Sequence, residues 1–262
     1  MSQMISQPTA VTSDDAGVSQ VRLALGDVLS SVHPTLRPCL GAAFAGGKLL
    51  RPMIARSWFH AAGGRGDAWC LPGAAVELVH RASLAHDDLP CMDDELKRRG
   101  QPTLHVRFGE DAAVLAGDAM ISLAFELLVR GNATPGMFAV LSRTITAMCG
   151  GQLAELRQTS GRTSIAEDKT GSLFVAAAEL GLRAAGTPSP ALVGLAEDFG
   201  CTLGRLYQGI DDLIDGDALP IEPAALNADL AHLSGLADAV PHPEALRPFM
   251  DVVRSLVPHP AS

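Results

Sequence analysis

"CLPGAAVELVHRASLAHDDLPCMDDELKRRG", residues 70–100, splits into halves of opposite character. The first half, to Asp88, is rich in alanine, leucine and valine and reads as a helix that stops or kinks at Pro90. The second half crowds five carboxylates (Asp87, Asp88, Asp93, Asp94 and Glu95) into nine positions and then sets down Lys97, Arg98 and Arg99. A helix body of this kind needs a core to pack in, and its end needs a ligand.

On both sides the chain keeps to helical patterns. Upstream, "SDDAGVSQVRLALGDVLSSV" places Val18, Val21, Leu23, Leu25 and Val28 near one face, and its early acids suit the positive end of the helix dipole. "GGKLLRPMIARSWFHAAGG" is a glycine turn followed by a helix with Pro52 early, where proline is tolerated. Downstream, "GEDAAVLAGDAMISLAFELLVRG" is apolar enough to be a helix buried on most sides. "TPGMFAVLSRTITAMCGGQLAELRQ" carries the pair Gly150–Gly151, read as a site of close helix packing, with Met120 and Met148 in the core. "SIAEDKTGSLFVAAAELGLRAAG" is a further helix capped by Gly186, and "SPALVGLAEDFGCTLGRLYQGIDDLID" ends in a second acidic cluster. No alternating run of strand length and no solenoid repeat appears, so the expectation is all-α. Residues 1–14, polar and with Pro8, are expected to be disordered, and residues 15–262 to form a single domain.

The composition agrees. Of 262 residues 47% are apolar and only 4% aromatic, which favours helices around a sizeable core. A formal net charge of −9 argues against nucleic acid or an anionic membrane surface as the main partner. The five cysteines are scattered without a C-x-x-C, which fits a reducing cytoplasm. The first residues lack a basic region before an apolar run, so no signal peptide is expected, and no uninterrupted apolar run has the length of a membrane span.

Asp87 and Asp88 close one expected helix, and Asp211, Asp212 and Asp215 close another. A helix C-terminus already carries partial negative charge, so each acid there costs a few tenths to about 1 kcal/mol. Two helices that accept the same penalty share an explanation. Mg²⁺ supplies one, because it prefers oxygen ligands and is held by one or two carboxylates plus substrate phosphates. Asp211 and Asp215, four apart, share a helix face. Asp87 and Asp93 converge only if the chain bends after Asp88. Arginine forks match phosphate oxygens, so Arg98 and Arg99 point to a diphosphate, whereas Lys97 reads as part of a surface salt-bridge patch. A His-Asp metal phosphohydrolase lacks its further histidines here, and Ser83 and Ser172 have no partnered base.

These residues resemble a family. "DDLPCMDDELKRRGQPTLH" is similar to the first aspartate-rich motif, DDxxxxD with RRG, of the trans-isoprenyl diphosphate synthases (polyprenyl synthetases). "YQGIDDLID" resembles their second motif, "GGKLLRP" their GGKxxRP, and "KTGSLF" their KTGxLF. The resemblance runs from about Gly46 to Asp217 and is nearest to bacterial geranylgeranyl diphosphate synthases. It implies the isoprenoid synthase fold, a helical bundle around a deep central cavity, in a homodimer. It also implies a reaction: an allylic diphosphate (dimethylallyl, geranyl or farnesyl) ionises, alkylates isopentenyl diphosphate, and a proton is lost to the leaving diphosphate. By position, Asp87, Asp93, Asp211 and Asp215 would bind Mg²⁺, with Asp88 and Asp212 in support. Arg98, Lys169, Thr170 and Gln208 would contact the allylic diphosphate. Lys48, Arg51, His80 and Arg99 would hold isopentenyl diphosphate.

Small residues, Ala82 and Ser83, stand where synthases of this family that stop at C15 commonly carry an aromatic, so a C20 product is expected. Three departures stand out. Leu49 replaces a usual arginine, for which neighbouring cations should compensate, and Tyr207 replaces a usual phenylalanine. The lysine- and glycine-rich loop expected after the second motif is missing: residues 216–233 hold neither lysine nor arginine, and the C-terminal part is short. Competing readings are a farnesyl diphosphate synthase, a poorly active or non-catalytic subunit that modulates another synthase, and a class I terpene cyclase. A cyclase would not need the isopentenyl diphosphate residues.

Overall fold

The computed structural model describes residues 16–98, 100–158, 171–215 and 223–257. Among them are eleven α-helices: α1 (Ala16–Ser31), α2 (Arg37–Phe44), α3 (Leu50–Ala61), α4 (Cys70–Asp87), α5 (Leu104–Phe108), α6 (Glu110–Arg130), α7 (Pro135–Leu156), α8 (Ser172–Ala185), α9 (Pro190–Asp215), α10 (Pro223–Asp238) and α11 (Arg247–Leu256). The all-α expectation holds. The N-terminal segment expected to be disordered lies outside the described residues. One feature had no counterpart in the sequence reading: a two-residue antiparallel ladder pairs Lys97 with Pro102 and Arg98 with Gln101.

α4 is the central helix. It is buried continuously from Pro72 to Val79 and again at Arg81, Ala82 and Ala85. It packs along α6 and also against α3, α8 and α1. Its alanines make this possible, because a thin helix lets neighbours approach on every side. The helix ends at Asp87, just short of the backbone restriction that Pro90 imposes on the residue before it. α3, α8 and α9 stack with their backbones nearly touching. A Cβ on Gly181 would sit 2.2 Å from the carbonyl oxygen of Ala55, and one on Gly200 would sit 2.4 Å from the amide nitrogen of Val175. Trp58 on α3 meets Phe199 on α9 edge-on at 5.3 Å, and Phe199 meets Phe249 at 6.1 Å, which ties α11 to the core. Aromatic pairs of this kind contribute about 0.5–1.5 kcal/mol beyond the area they bury.

Three expectations about packing need correction. α6 is not buried on most sides: Ala113, Ala116, Met120 and Leu127 face the core, while Val114, Leu115 and Val129 are exposed. Its apolar residues continue round the helix beyond the surface that α4 covers. By length and composition α6 could cross a membrane, although 44% of its apolar stretch is buried against protein. On α1, Val21, Leu25 and Val28 are buried but Leu23 is exposed, because it lies off their 3.6-residue stripe. Of the pair Gly150–Gly151, Gly151 is buried, but a Cβ on Gly150 would meet no atom of the described residues within 4 Å.

Candidate active site

Immediately after α4 the chain doubles back. The Leu89 amide donates to the His86 carbonyl at 3.2 Å, and the Asp93 amide donates to the Asp87 carbonyl at 2.9 Å. Asp94 follows in the left-handed region (φ 54°), where aspartate is better tolerated than most residues, and its amide reaches the Leu89 carbonyl at 3.1 Å. This is the bend that convergence of Asp87 and Asp93 requires, and backbone hydrogen bonds close it. Asp87 is half-buried and Asp93 exposed.

The ladder then returns Arg98 to the end of α4. Its Nε and Nη2 donate to Asp88 Oδ1 at 2.9 and 2.6 Å. Burial works against the charge of Arg98. The hydrogen bond to Asp88 and the charges of Asp88, Asp87 and Glu95 outweigh it, and the guanidinium is held above its usual pKa. The Thr103 hydroxyl donates to the Glu95 carbonyl at 2.9 Å and closes the base of the hairpin.

A residue the motif reading passed over completes this corner. Gln152 on α7 donates from Nε2 to Asp93 Oδ1 at 3.0 Å. Its Oε1 is buried with no hydrogen-bond partner among the described residues. A buried acceptor left so costs about 1–3 kcal/mol, which a water, a cation or a ligand group would relieve.

The remaining motifs lie on a chain of neighbouring helices: α3 and α8 pack against α4, and α9 packs on α8. Lys48 is exposed on the loop before α3, and Arg51 on α3 lies over the Phe174 ring at 5.2 Å. Phe174 in turn meets Tyr207 of α9 at 5.3 Å. One line of contacts thus joins GGKLLRP, KTGSLF and YQGIDD. His80 is half-buried on α4, two turns before Asp87, and the Ser83 hydroxyl donates to its carbonyl at 2.9 Å. Ala82 is buried, and Gln208 is half-buried on α9. α9 runs through to Asp215, but the side chains of Asp211, Asp212 and Asp215 lie outside the described residues, as do Arg99, Lys169 and Thr170.

Among the described residues no three acidic, histidine or cysteine side chains gather closely enough to hold a metal ion. Asp87 and Asp93, joined through their backbones, each offer carboxylate oxygens, and Asp88 is taken up by Arg98. Such a set fits a hard divalent cation that keeps several waters or phosphate oxygens among its ligands.

A family model described as Polyprenyl synthetase matches residues 33–220. The chain is 35% identical to a farnesyl diphosphate synthase of Escherichia coli (strain K12) over 220 residues, 77% of this chain and 74% of that protein. It is 37% identical to a geranylgeranyl diphosphate synthase of Cereibacter sphaeroides over 183 residues, 66% of this chain and 62% of that protein. The apo crystal structure of an FPP/GFPP synthase from Zymomonas mobilis superposes with a TM-score of 0.78 at 25% identity, covering 92% of this chain and 96% of that one.

Proposed function

Since the chain belongs to the polyprenyl synthetase family, with its isoprenoid synthase fold, and is by that membership a trans-prenyltransferase, we propose that it joins an allylic diphosphate to isopentenyl diphosphate and releases geranylgeranyl diphosphate (C20) and diphosphate. The observation that carries the reading is the doubled-back turn after α4. It lays Asp93 against Asp87 and sets a firmly charged guanidinium at their side.

Asp87 and Asp93, with Asp211 and Asp215 from α9 and with Asp88 and Asp212 in support, would hold Mg²⁺. Bound there, the cation would neutralise the diphosphate as it leaves. Arg98, Lys169, Thr170 and Gln208 hold the allylic diphosphate and stabilise the charge that grows on it as the carbon–oxygen bond breaks. Lys48, Arg51, His80 and Arg99 hold isopentenyl diphosphate so that its double bond attacks the allylic carbon. The departing diphosphate takes the proton, so no protein nucleophile is required. The tail grows along α4 past Ala82 and Ser83. Ala82 lies five residues before Asp87, about 7.5 Å along the helix, and both side chains are small.

The comparisons include proteins named for farnesyl and for geranylgeranyl diphosphate, so the C20 assignment rests on Ala82 and Ser83. The same reading places the enzyme in the cytoplasm as a homodimer. All five cysteines are free, in keeping with a reducing compartment. Purified protein with Mg²⁺, farnesyl diphosphate and labelled isopentenyl diphosphate tests the reading. An elongase incorporates label, and chelation of the metal stops it. A non-catalytic subunit incorporates none, and a cyclase consumes the allylic substrate without taking up label.

A further inference from the structure

Inside α4, one turn apart and away from the acidic end, lies a second charged pair. Arg81 is 7% exposed and Glu77 3%. Every nitrogen of the Arg81 guanidinium is engaged. Nε donates to Glu77 Oε1 at 2.8 Å, Nη1 to the Ala43 carbonyl at 2.6 Å, and Nη2 to the Gly46 carbonyl at 3.0 Å. Two of these acceptors belong to the last turn of α2 and the loop that follows it.

That loop is an improbable piece of backbone. Gly46, Gly47 and Leu49 all have positive φ (68°, 89° and 52°). For a leucine the left-handed region is sterically disfavoured. Burial of the Leu49 side chain offsets this. Among the described residues nothing packs behind Gly46: a Cβ there would meet no atom within 4 Å, and a cavity of about 190 Å³ opens between Gly46, Leu49, Phe44 and Arg81. The Gly46 carbonyl is therefore held from α4 rather than by packing. Lys48 stands in this loop with its side chain exposed, and the next turn begins the helix that carries Arg51.

We propose that Arg81 is a positioning residue for the homoallylic substrate: by gripping the carbonyls of Ala43 and Gly46 it fixes the 46–49 loop in the shape that presents Lys48 to isopentenyl diphosphate. The proposal rests on the reading that isopentenyl diphosphate binds at Lys48. Glu77 holds the fork in register and neutralises it. A lysine would keep the charge but lose the planar fork that spans three acceptors. Loss of the grip would leave the chemistry of the acidic turn untouched and release a pre-ordered loop, so the penalty should fall on binding one substrate.

The test is steady-state kinetics on the Mg²⁺-loaded enzyme with each substrate varied in turn. Removal of one partner alone would strand a buried charge, so the main variant is the double change Arg81→Met with Glu77→Gln, which is neutral and nearly conserves volume. It should raise KM for isopentenyl diphosphate by about tenfold or more, while kcat and KM for farnesyl diphosphate stay within about twofold. Arg81→Lys should give an intermediate KM, and its amides from Gly47 to Leu50 should exchange hydrogen faster than in the wild type. Lys48→Ala, run in parallel, must itself raise KM for isopentenyl diphosphate; if it does not, the substrate assignment fails rather than the grip. With that control met, an unchanged KM in the double variant overturns the proposal, as does a fall in kcat at constant KM. If the double variant does not fold, unchanged KM and unchanged loop exchange in Arg81→Lys overturn it instead.

Discussion

One arginine–carboxylate pair lies inside α4 and a second meets at its C-terminal end, and they differ in one respect that matters. Glu77 and Arg81 are both buried, with side-chain exposures of 4% and 7%, whereas Asp88 is buried (6%) and its partner Arg98 is 39% exposed. Each nitrogen of the Arg81 fork meets an acceptor of the protein itself. The Arg98 fork spends Nε and Nη2 on a single oxygen of Asp88. A buried guanidinium with each nitrogen engaged holds the protein's own backbone in place. A half-exposed one, kept charged by Asp88, Asp87 and Glu95, can also take a ligand's oxygens. The inner pair acts on geometry and the outer pair on charge.

The widest separation should come from the acidic turn itself. Asp87→Ala or Asp211→Ala should lower turnover by about 10²–10³-fold with helical circular dichroism unchanged. Near-normal turnover in either would remove the shared-metal account of the two clusters. The next contrast sets stability against activity. Glu77→Ala strands the buried Arg81 charge and should lower unfolding free energy in urea by about 3–5 kcal/mol. Asp88→Ala, which leaves only the half-exposed Arg98 charge unpaired, should lower it by about 1 kcal/mol while reducing turnover severely. If both variants lose stability equally, the division between the pairs collapses.

Product length comes third. Ala82→Phe fills the path below the acidic turn and should shift the main product from C20 to C15 with little change in overall rate, read by chromatography of the dephosphorylated products. The smallest effect concerns thiols. Burial, with help from Asp67, pushes the Cys70 pKa up to about 11, and burial raises that of Cys39 despite Arg107, while Cys91 and Cys149 are exposed. At pH 8 the thiolates of Cys39 and Cys70 are therefore scarce, and iodoacetamide should alkylate Cys91 and Cys149 first, as peptide mass mapping would show.

Much of this was readable before any coordinates. Helix periodicity located α3, α4, α6, α7 and α9 closely, because apolar spacing is a local signal. The acidic turn was legible as chemistry: carboxylates at a helix C-terminus demand a reason. What escaped were contacts between distant residues. Gln152 meets Asp93 across 59 positions and Arg81 meets Gly46 across 35, and a single polar residue carries no pattern that names its partner. Glu77 and Arg81 did leave a trace, a charged i, i+4 pair inside an otherwise apolar helix. Leu49 was read as a lost arginine that neighbouring cations should replace. A cation that reaches its loop is Arg81, from the facing helix. The exposed side of α6 was misjudged because composition gives the amount of apolar surface, not how much of it a neighbour covers.

The most direct measurement is a single turnover of farnesyl diphosphate on excess enzyme with Mg²⁺ and saturating labelled isopentenyl diphosphate, with the product resolved by chain length. The account predicts one labelled C20 species, formed only when metal is present. Label that never enters an organic-extractable product, or farnesyl diphosphate returned unextended by the intact wild-type protein, would contradict it.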